Sequence, residues 1–315
     1  MDIKNTSIIT NQHQSIKNSN ITIIVLFYNH DRYVENLLNN IKIANSKVNA
    51  KVIIVDDFSS DNTASLVSQW ITKNSNLGYK TIKNKSNLGI SKSILNALDL
   101  VQTKWVKIHA GDDLFTDSGI NDFDKISKNI SDNTLVMSSV NIINEHNEIT
   151  GYRKNPSKLH FSNFFKDVNF YTNPLMSFSV LARADLYKEA IESLYIRNIE
   201  DWPLLIYAIN SNTEFKLIDK PLVNYRIHDK SIMANQRKPL KEITEHQRSY
   251  AENIKEILIN NYNIAPTLSS RYGTYIQFLK YKYKEKPFMI GFVLFLKIFN
   301  FKYIIFRLIL LFDRR

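Results

Sequence analysis

Two pairs of adjacent aspartates, Asp56-Asp57 and Asp112-Asp113, are the residues of this chain best placed to do chemistry. Each pair follows a short apolar run. Neighbouring carboxylates repel, so such a pair is costly without a cation. A hard divalent ion, Mg²⁺ or Mn²⁺, relieves the repulsion and bridges to diphosphate oxygens. A carboxylate so placed also accepts from a nucleobase N–H or from ribose hydroxyls. A solvated loop, with Asp61 as a helix cap, explains one such pair equally well. Two pairs at corresponding places favour a site. Gly111 leaves room for a ligand to approach the backbone. The absence of cysteine excludes disulfides, thiol catalysis and cysteine-ligated zinc or iron–sulfur centres. Any metal therefore sits on carboxylates and histidines.

The surrounding pattern says how these groups are carried. Ile21–Phe27 (ITIIVLF) is a continuous β-branched run, the signature of a strand buried on both faces. Val34, Leu37, Leu38 and Ile41 recur at helical spacing. Lys51–Val55 is a second buried strand, followed by the polar loop Asp56–Asp61 and a helix carrying Leu66, Val67, Trp70 and Ile71. Tyr79–Lys83 is a weaker strand. Asn87-Leu88-Gly89 is a turn into a helix with Ile90, Ile94, Ala97, Leu98 and Val101. Trp105–Ile108 is a strand ended by His109-Ala110-Gly111-Asp112-Asp113. This alternation implies parallel strands joined by crossover helices. Ligands bind beyond the carboxyl ends of such strands, which is where both acidic pairs fall.

Further along the pattern changes. Leu135–Ile143 reads as a long strand, and Glu145-His146-Asn147-Glu148 as a hairpin turn. Met176–Leu181 reads as a strand. Asp201–Asn210 reads as a helix with Pro203 tolerated in its first turn. Phe215–Ile218 and Leu222–Ile227 read as two strands flanking Lys220-Pro221. A domain boundary is expected near Ala234–Pro239.

Six ordered motifs across about residues 20–232 resemble the inverting glycosyltransferases of family 2. They are Tyr28-Asn29 after the first strand; Val55-Asp56-Asp57-Phe58-Ser59-Ser60-Asp61-Asn62-Thr63, similar to the nucleotide-binding loop VDDGSxDxT; Asn87-Leu88-Gly89, similar to NxG; Gly111-Asp112-Asp113, similar to the GDD form of the DXD metal loop; Glu200-Asp201-Trp202, similar to the late ED motif; and Tyr225-Arg226-Ile227-His228 followed by Ser231, similar to YRxH. Three positions depart from the pattern. Phe58 replaces the usual loop glycine, which implies a slightly different backbone there. Ala110 replaces the first aspartate of DXD. Ile94 stands where many members have an arginine.

The resemblance implies a GT-A fold, a Rossmann-like mixed α/β sheet flanked by helices. It implies transfer of a sugar from a nucleotide-diphosphate sugar to a hydroxyl of a glycan or lipid-linked acceptor, in capsule, O-antigen or other surface polysaccharide synthesis. Tyr28, Asn29, Asp56, Asp57, Asn87, Gly89, Asp112 and Arg226 become candidates for binding the nucleotide sugar. Asp112, Asp113 and His228 become candidates for holding Mg²⁺ or Mn²⁺. Asp201 is the candidate catalytic base, placed at a helix N-terminus where a negative charge is stabilised. As a lone residue it reads equally as a helix cap. His30 and His109 match no motif and read as structural.

The organisation expected is a flexible segment 1–20, a catalytic domain 21–235, and a helical, membrane-associating region 236–315. Residues 1–235 carry 26 Lys+Arg against 24 Asp+Glu, whereas 236–315 carry 15 against 6, so the excess charge lies in the tail. From Tyr272 to Phe312 that tail holds thirteen Phe/Tyr among its cations, and its longest uncharged apolar run is nine residues, Phe288–Leu296. A spanning helix needs about 20. An interfacial segment on an anionic membrane surface fits this composition, as does a helical cap packed on the domain. Nucleic acid is not an expected partner, because the catalytic part is near neutral. No secretory signal is visible, so the expected location is cytoplasmic and peripheral to the membrane. The alternative enzyme is a nucleotidyltransferase or other nucleotide-binding α/β enzyme using the same carboxylates, but the glycine-rich phosphate loop such enzymes favour is missing. A non-catalytic scaffold is the third alternative.

Overall fold

The computed structural model describes residues 6–9, 20–161 and 173–228. The expected boundary at Ala234–Pro239, Ser231 and the region 236–315 lie outside the described residues. The described strands form one ten-stranded mixed sheet. They are β1 (Thr6–Ile9), β2 (Ile21–Phe27), β3 (Lys51–Asp56), β4 (Lys80–Asn84), β5 (Trp105–Ala110), β6 (Leu114–Phe115), β7 (Thr134–Ile143), β8 (Ile149–Arg153), β9 (Val180–Arg183) and β10 (Glu214–Arg226). Their order is β1-β4-β3-β2-β5-β9-β7-β10-β6, with β8 paired to β7.

The first half is the expected parallel unit: β4, β3, β2 and β5 run parallel. Period-two alternation divides the side chains between two cores. Ile23 and Val25 of β2 and Val52 and Ile54 of β3 face helices α1 (Val34–Asn45), α2 (Thr63–Lys73) and α4 (Gly119–Ser127). Ile24, Val55 and Val106 face α3 (Ile90–Leu98), α5 (Ala184–Ser193) and α6 (Asp201–Asn210). Both faces of the sheet are thus covered, which explains the continuous apolar runs. The N-cap of α2 is Asn62, and Asp61 stands one residue before it: its Oδ1 accepts from the Thr63 amide at 2.9 Å and its Oδ2 from the Asp31 amide at 3.1 Å. β7 turns into β8 through the expected hairpin, with Asn147 at φ 66°.

Three elements differ from the sequence reading. Thr6–Ile9, within the segment expected to be flexible, pair antiparallel with β4 at the sheet edge. Phe215–Ile218 and Leu222–Ile227 merge into the single strand β10, parallel to β7. Its register shifts on either side of Pro221, whose missing N–H cannot serve the ladder. Met176–Leu181 opens as the 3₁₀ turn Ser177–Ser179 and becomes a strand only at Val180. Both the amide and the hydroxyl of Ser179 donate to the Met176 carbonyl, at 2.8 Å each, and hold the turn.

Candidate active site

The carboxyl ends of β2 and β3 build one wall. Their register pairs Phe27 with Asp56, and the Asp57 amide donates to the Phe27 carbonyl at 2.9 Å. Beyond this point the two chains are stapled together. The Asn29 amide donates to Ser59 Oγ at 3.0 Å, and Asn29 Oδ1 accepts from the Ser60 amide at 2.8 Å. Asn29 has φ 55° and Phe58 φ 62°. Phe58 thus keeps the left-handed backbone that suits glycine in such a loop.

Asp56 and Asp57 are both buried, and they do different work. Asp56 accepts from its own loop, through the Ser59 amide at 3.3 Å and hydroxyl at 2.5 Å. Asp57 reaches across to the Asn87 turn. Its Oδ1 accepts from Asn84 Nδ2 and the Leu88 amide, and Oδ2 from the Gly89 amide, all at 2.8 Å. Three of roughly four acceptor sites on Asp57 are therefore filled by protein, against two on Asp56. Asn84, unremarked in the sequence, is the buried residue that fixes Asp57 from behind.

The Asn87 turn is bolted in turn to the segment leading into α6. Arg197 Nη2 donates to the Asn87 carbonyl at 2.8 Å and to its Oδ1 at 2.9 Å. The Ser91 amide donates to the Arg197 carbonyl at 3.0 Å, and Ser91 Oγ to the carbonyls of Ile196 at 2.5 Å and Ile199 at 3.2 Å. Gly89 makes this fit possible. It has φ 84° and ψ 167°, a region open essentially to glycine alone. A Cβ there would lie 2.7 Å from the Arg197 carbonyl oxygen and 2.6 Å from Arg197 Cγ. Gly89→Ala is therefore expected to cost at least about 2 kcal/mol of stability, combining backbone strain with the clash. Chemical denaturation of the two proteins measures this. Ile94, the position of the family's arginine, is fully buried in the core.

The loop after β5 makes the second wall. Gly111 is needed here for packing: a Cβ would lie 2.4 Å from Phe27 Cδ1, 2.5 Å from His30 Nδ1 and 2.8 Å from the Leu26 carbonyl oxygen. Arg226, at the end of β10, is the brace of this loop. Its amide donates to Asp113 Oδ1 at 2.9 Å and its Nε to the Asp112 carbonyl at 2.7 Å. Nη1 and Nη2 reach the Asn144 carbonyl and Asn147 Oδ1, both at 2.6 Å, and the guanidinium lies 4.9 Å from the centre of the Tyr33 ring. Only 1% of Arg226 is exposed, so it stands behind the loop. His228 Nε2 lies 3.0 Å from Asp112 Oδ2.

Burial works to raise the Asp112 carboxyl, but the His228 hydrogen bond and the attraction of His30 and His228 outweigh it and hold the group below the ordinary carboxylate range. Asp113 goes the other way. Burial first, then the charge of Asp112, pushes it well above that range. Its Oδ2 is buried without a hydrogen-bond partner. An orphaned carboxylate oxygen beside a second carboxylate fits a divalent cation. Among the described residues no three acidic or imidazole groups gather closely enough to hold a metal alone. That suits Mg²⁺, which takes one or two carboxylates and fills its shell with water and phosphate oxygens. His30, read from sequence as structural, faces Asp112 and His228, and burial lowers its pKa.

The third component is the N-terminus of α6. Burial, then the neighbouring charge of Glu200, raises the Asp201 carboxyl to about 8. Burial raises Glu200 as well, opposed by Ser177 and by the charge of Lys107. Lys107 is the hidden cation of the site. It lies in the middle of β5 with no exposed surface and donates to the carbonyls of Ile108 and, at 2.9 Å, Phe178. Burial lowers it to about 7, while Asp113 and Glu200 both act to raise it. Lys107 therefore links the Asp112-Asp113 loop electrostatically to Glu200, the neighbour of Asp201. A charged residue inside an apolar strand gives no signal of this in sequence.

The family described as Glycosyl transferase family 2 matches residues 22–190. The chain belongs to glycosyl transferase family 2. Among curated relatives of this glycosyl transferase is an uncharacterized glycosyltransferase of Methanocaldococcus jannaschii, 22% identical over 213 residues, covering 66% of this chain and 70% of the relative. Among solved structures it resembles S. aureus TarS 1-349 in complex with UDP-GlcNAc, with a TM-score of 0.52 and 18% identity over 90% of this chain and 89% of TarS. TarS 1-349 in complex with UDP gives 0.51 and 17% over the same shares. The likeness to TarS shows the fold, a GT-A mixed sheet flanked by helices.

Proposed function

We propose that this glycosyl transferase moves a sugar from a nucleoside-diphosphate sugar to a hydroxyl of a glycan or lipid-linked acceptor, with inversion at the anomeric carbon. One observation carries the reading: the segment Ile196–Ile199, which leads into the candidate base Asp201, is hydrogen-bonded to the Asn87–Ser91 turn that Asp57 organises. These bonds tie the donor loop to the segment that carries the base, which supports the positioning that in-line attack on a bound sugar requires. Asp201 takes the proton of the attacking hydroxyl. Asp56, Asp57, Tyr28 and Asn29 bind the nucleoside, with Asn87 and Gly89 closing that side. Asp112 and Asp113 would supply the carboxylates for Mg²⁺ or Mn²⁺, with His228 on Asp112 Oδ2, Arg226 keeping the loop in place, and water and phosphate oxygens completing the shell. A bound divalent ion supplies positive charge to the leaving diphosphate. TarS, seen with UDP-GlcNAc and UDP, supports a donor of this class.

The test is release of nucleoside diphosphate from UDP-, GDP- and dTDP-sugars by the full chain. Turnover of one donor supports the reading, and inertness toward all three in the presence of Mn²⁺ contradicts it. The product is assigned to surface polysaccharide or lipid-linked glycan synthesis on the composition of residues 236–315, which suit a membrane surface. Among the described residues no helix is long and apolar enough to cross a membrane. Full chain is expected to sediment with anionic liposomes, and more weakly as salt rises. A chain truncated after residue 271 is expected to stay in solution. Equal sedimentation of the two proteins overturns the tail assignment.

A further inference from the structure

The loop after β3 holds a bulky aromatic residue in a backbone region that suits glycine. Phe58 has φ 62° and is 51% exposed. Left-handed backbone costs folding energy for any residue with a Cβ. Asn29, on the facing strand end, has φ 55° and offsets that cost by accepting from Ser60. Among the described residues Phe58 has no such compensation, because its ring stacks on no other aromatic and is not buried in either core. Stability alone would select Gly or Asn at this position.

The position supplies the missing reason. Tyr28, 47% exposed, leaves the end of β2, and Phe58 leaves the end of β3. Those strands are directly paired, and paired strands lie about 4.8 Å apart. The Asn29–Ser59 hydrogen bond pins the two chain ends together. Asp57 directly precedes Phe58, and Asp56 is in register with Phe27, the neighbour of Tyr28; each carboxylate has acceptor capacity left over. Exposed aromatic faces beside a carboxylate acceptor match a flat heterocycle that carries N–H groups, which is the chemistry of a nucleobase.

We propose that Phe58 stacks on the base of the donor nucleotide and that its strained backbone is retained for this contact. The proposal rests on the donor reading above and adds a residue that sets affinity for the base. Stacking a base on one aromatic side chain changes affinity by roughly tenfold or more.

The experiment compares wild type, Phe58→Gly, Phe58→Ala and Phe58→Trp in two measurements. One is the Kd for UDP, GDP and dTDP by titration calorimetry with Mn²⁺, and the other is the thermal midpoint. Phe58→Ala and Phe58→Gly are expected to weaken the nucleotide that binds wild type by roughly tenfold. Phe58→Trp is expected to stay within about threefold of wild type, since it keeps a stacking face. Phe58→Gly is expected to raise Tm by about 2 °C or more, because it removes the strain. Binding and stability then move in opposite directions, which a purely structural ring does not produce. Unchanged affinity in Phe58→Ala overturns the proposal while leaving the donor reading intact. A lower Tm in Phe58→Gly also overturns it. Failure of wild type to bind any of the three nucleotides overturns the donor reading and this proposal with it.

Discussion

Asp201→Asn is expected to lower the rate of transfer by about 10²–10⁴ while leaving donor affinity nearly unchanged. Asparagine keeps the shape and the capping capacity at the start of α6 but cannot take a proton. The pH profile should show the same group. Desolvation, then the charge of Glu200, raises the Asp201 carboxyl to about 8 in the free protein. A base must first be deprotonated, so kcat/KM is expected to climb with pH, level off near 8, and lose that slope in the Asn variant. Stability should respond with the opposite sign. The native carboxyl binds its proton up to about 8, whereas the unfolded carboxyl loses it near 3.8. The native state is thus the more protonated one over that window, and Asp201 withdraws stability as pH rises through it. Asp201→Asn is therefore expected to unfold at a higher temperature than wild type at pH 8. Wild-type turnover in this variant would move the base elsewhere, with Glu200 the next carboxyl to test.

Removal of divalent cations is expected to have an effect as large. Excess EDTA should lower transfer by about 10³ or more, since a cation at a departing diphosphate contributes several kcal/mol. Mn²⁺ added back should restore it. The double variant Asp112→Asn, Asp113→Asn should not be restored, and its Mn²⁺ affinity, read by electron paramagnetic resonance, should fall with it. The physical ground is the pair itself. Asp113 Oδ2 is buried without a partner, and Asp112 beside it is kept ionised by His228 and His30. Asn at both positions removes the charge that a cation would neutralise. Full activity in EDTA would assign the pair a packing role.

What could be read from the sequence was local. An apolar strand that gives way to Asp56-Asp57 or, past Ala110-Gly111, to Asp112-Asp113 carries its own signal, because the apolar run ends where the charges begin. Helices α1, α2 and α3 were legible from one buried face at helical spacing, whereas α6 is buried nearly all round and carries no such stripe. Residues whose role depends on distant partners were not. Lys107 looks like an interruption of β5, and only the fold brings it to the Phe178 carbonyl, Asp113 and Glu200. Arg226 is by its motif a candidate for binding the nucleotide sugar, yet the fold surrounds it with the carbonyls of Asp112 and Asn144 and the side chain of Asn147. His30 has no motif, and it reaches Asp112 only because β2 and β5 are neighbours. The turn at Ser177–Ser179 was hidden inside a strand-like run, since serine hydroxyls compete locally for backbone carbonyls.

The most direct measurement is a ¹H and ³¹P NMR time course of the full chain with Mn²⁺-free Mg²⁺ buffer and the nucleotide sugar that it turns over. Attack at the anomeric carbon releases a nucleoside diphosphate, and the first-formed sugar product carries the inverted anomeric configuration whether water or a glycan accepts it. That pair of signals is the expected result. Release of a nucleoside monophosphate with sugar 1-phosphate would place the attack at phosphorus, and retention of configuration would exclude a single displacement by the Asp201-activated hydroxyl.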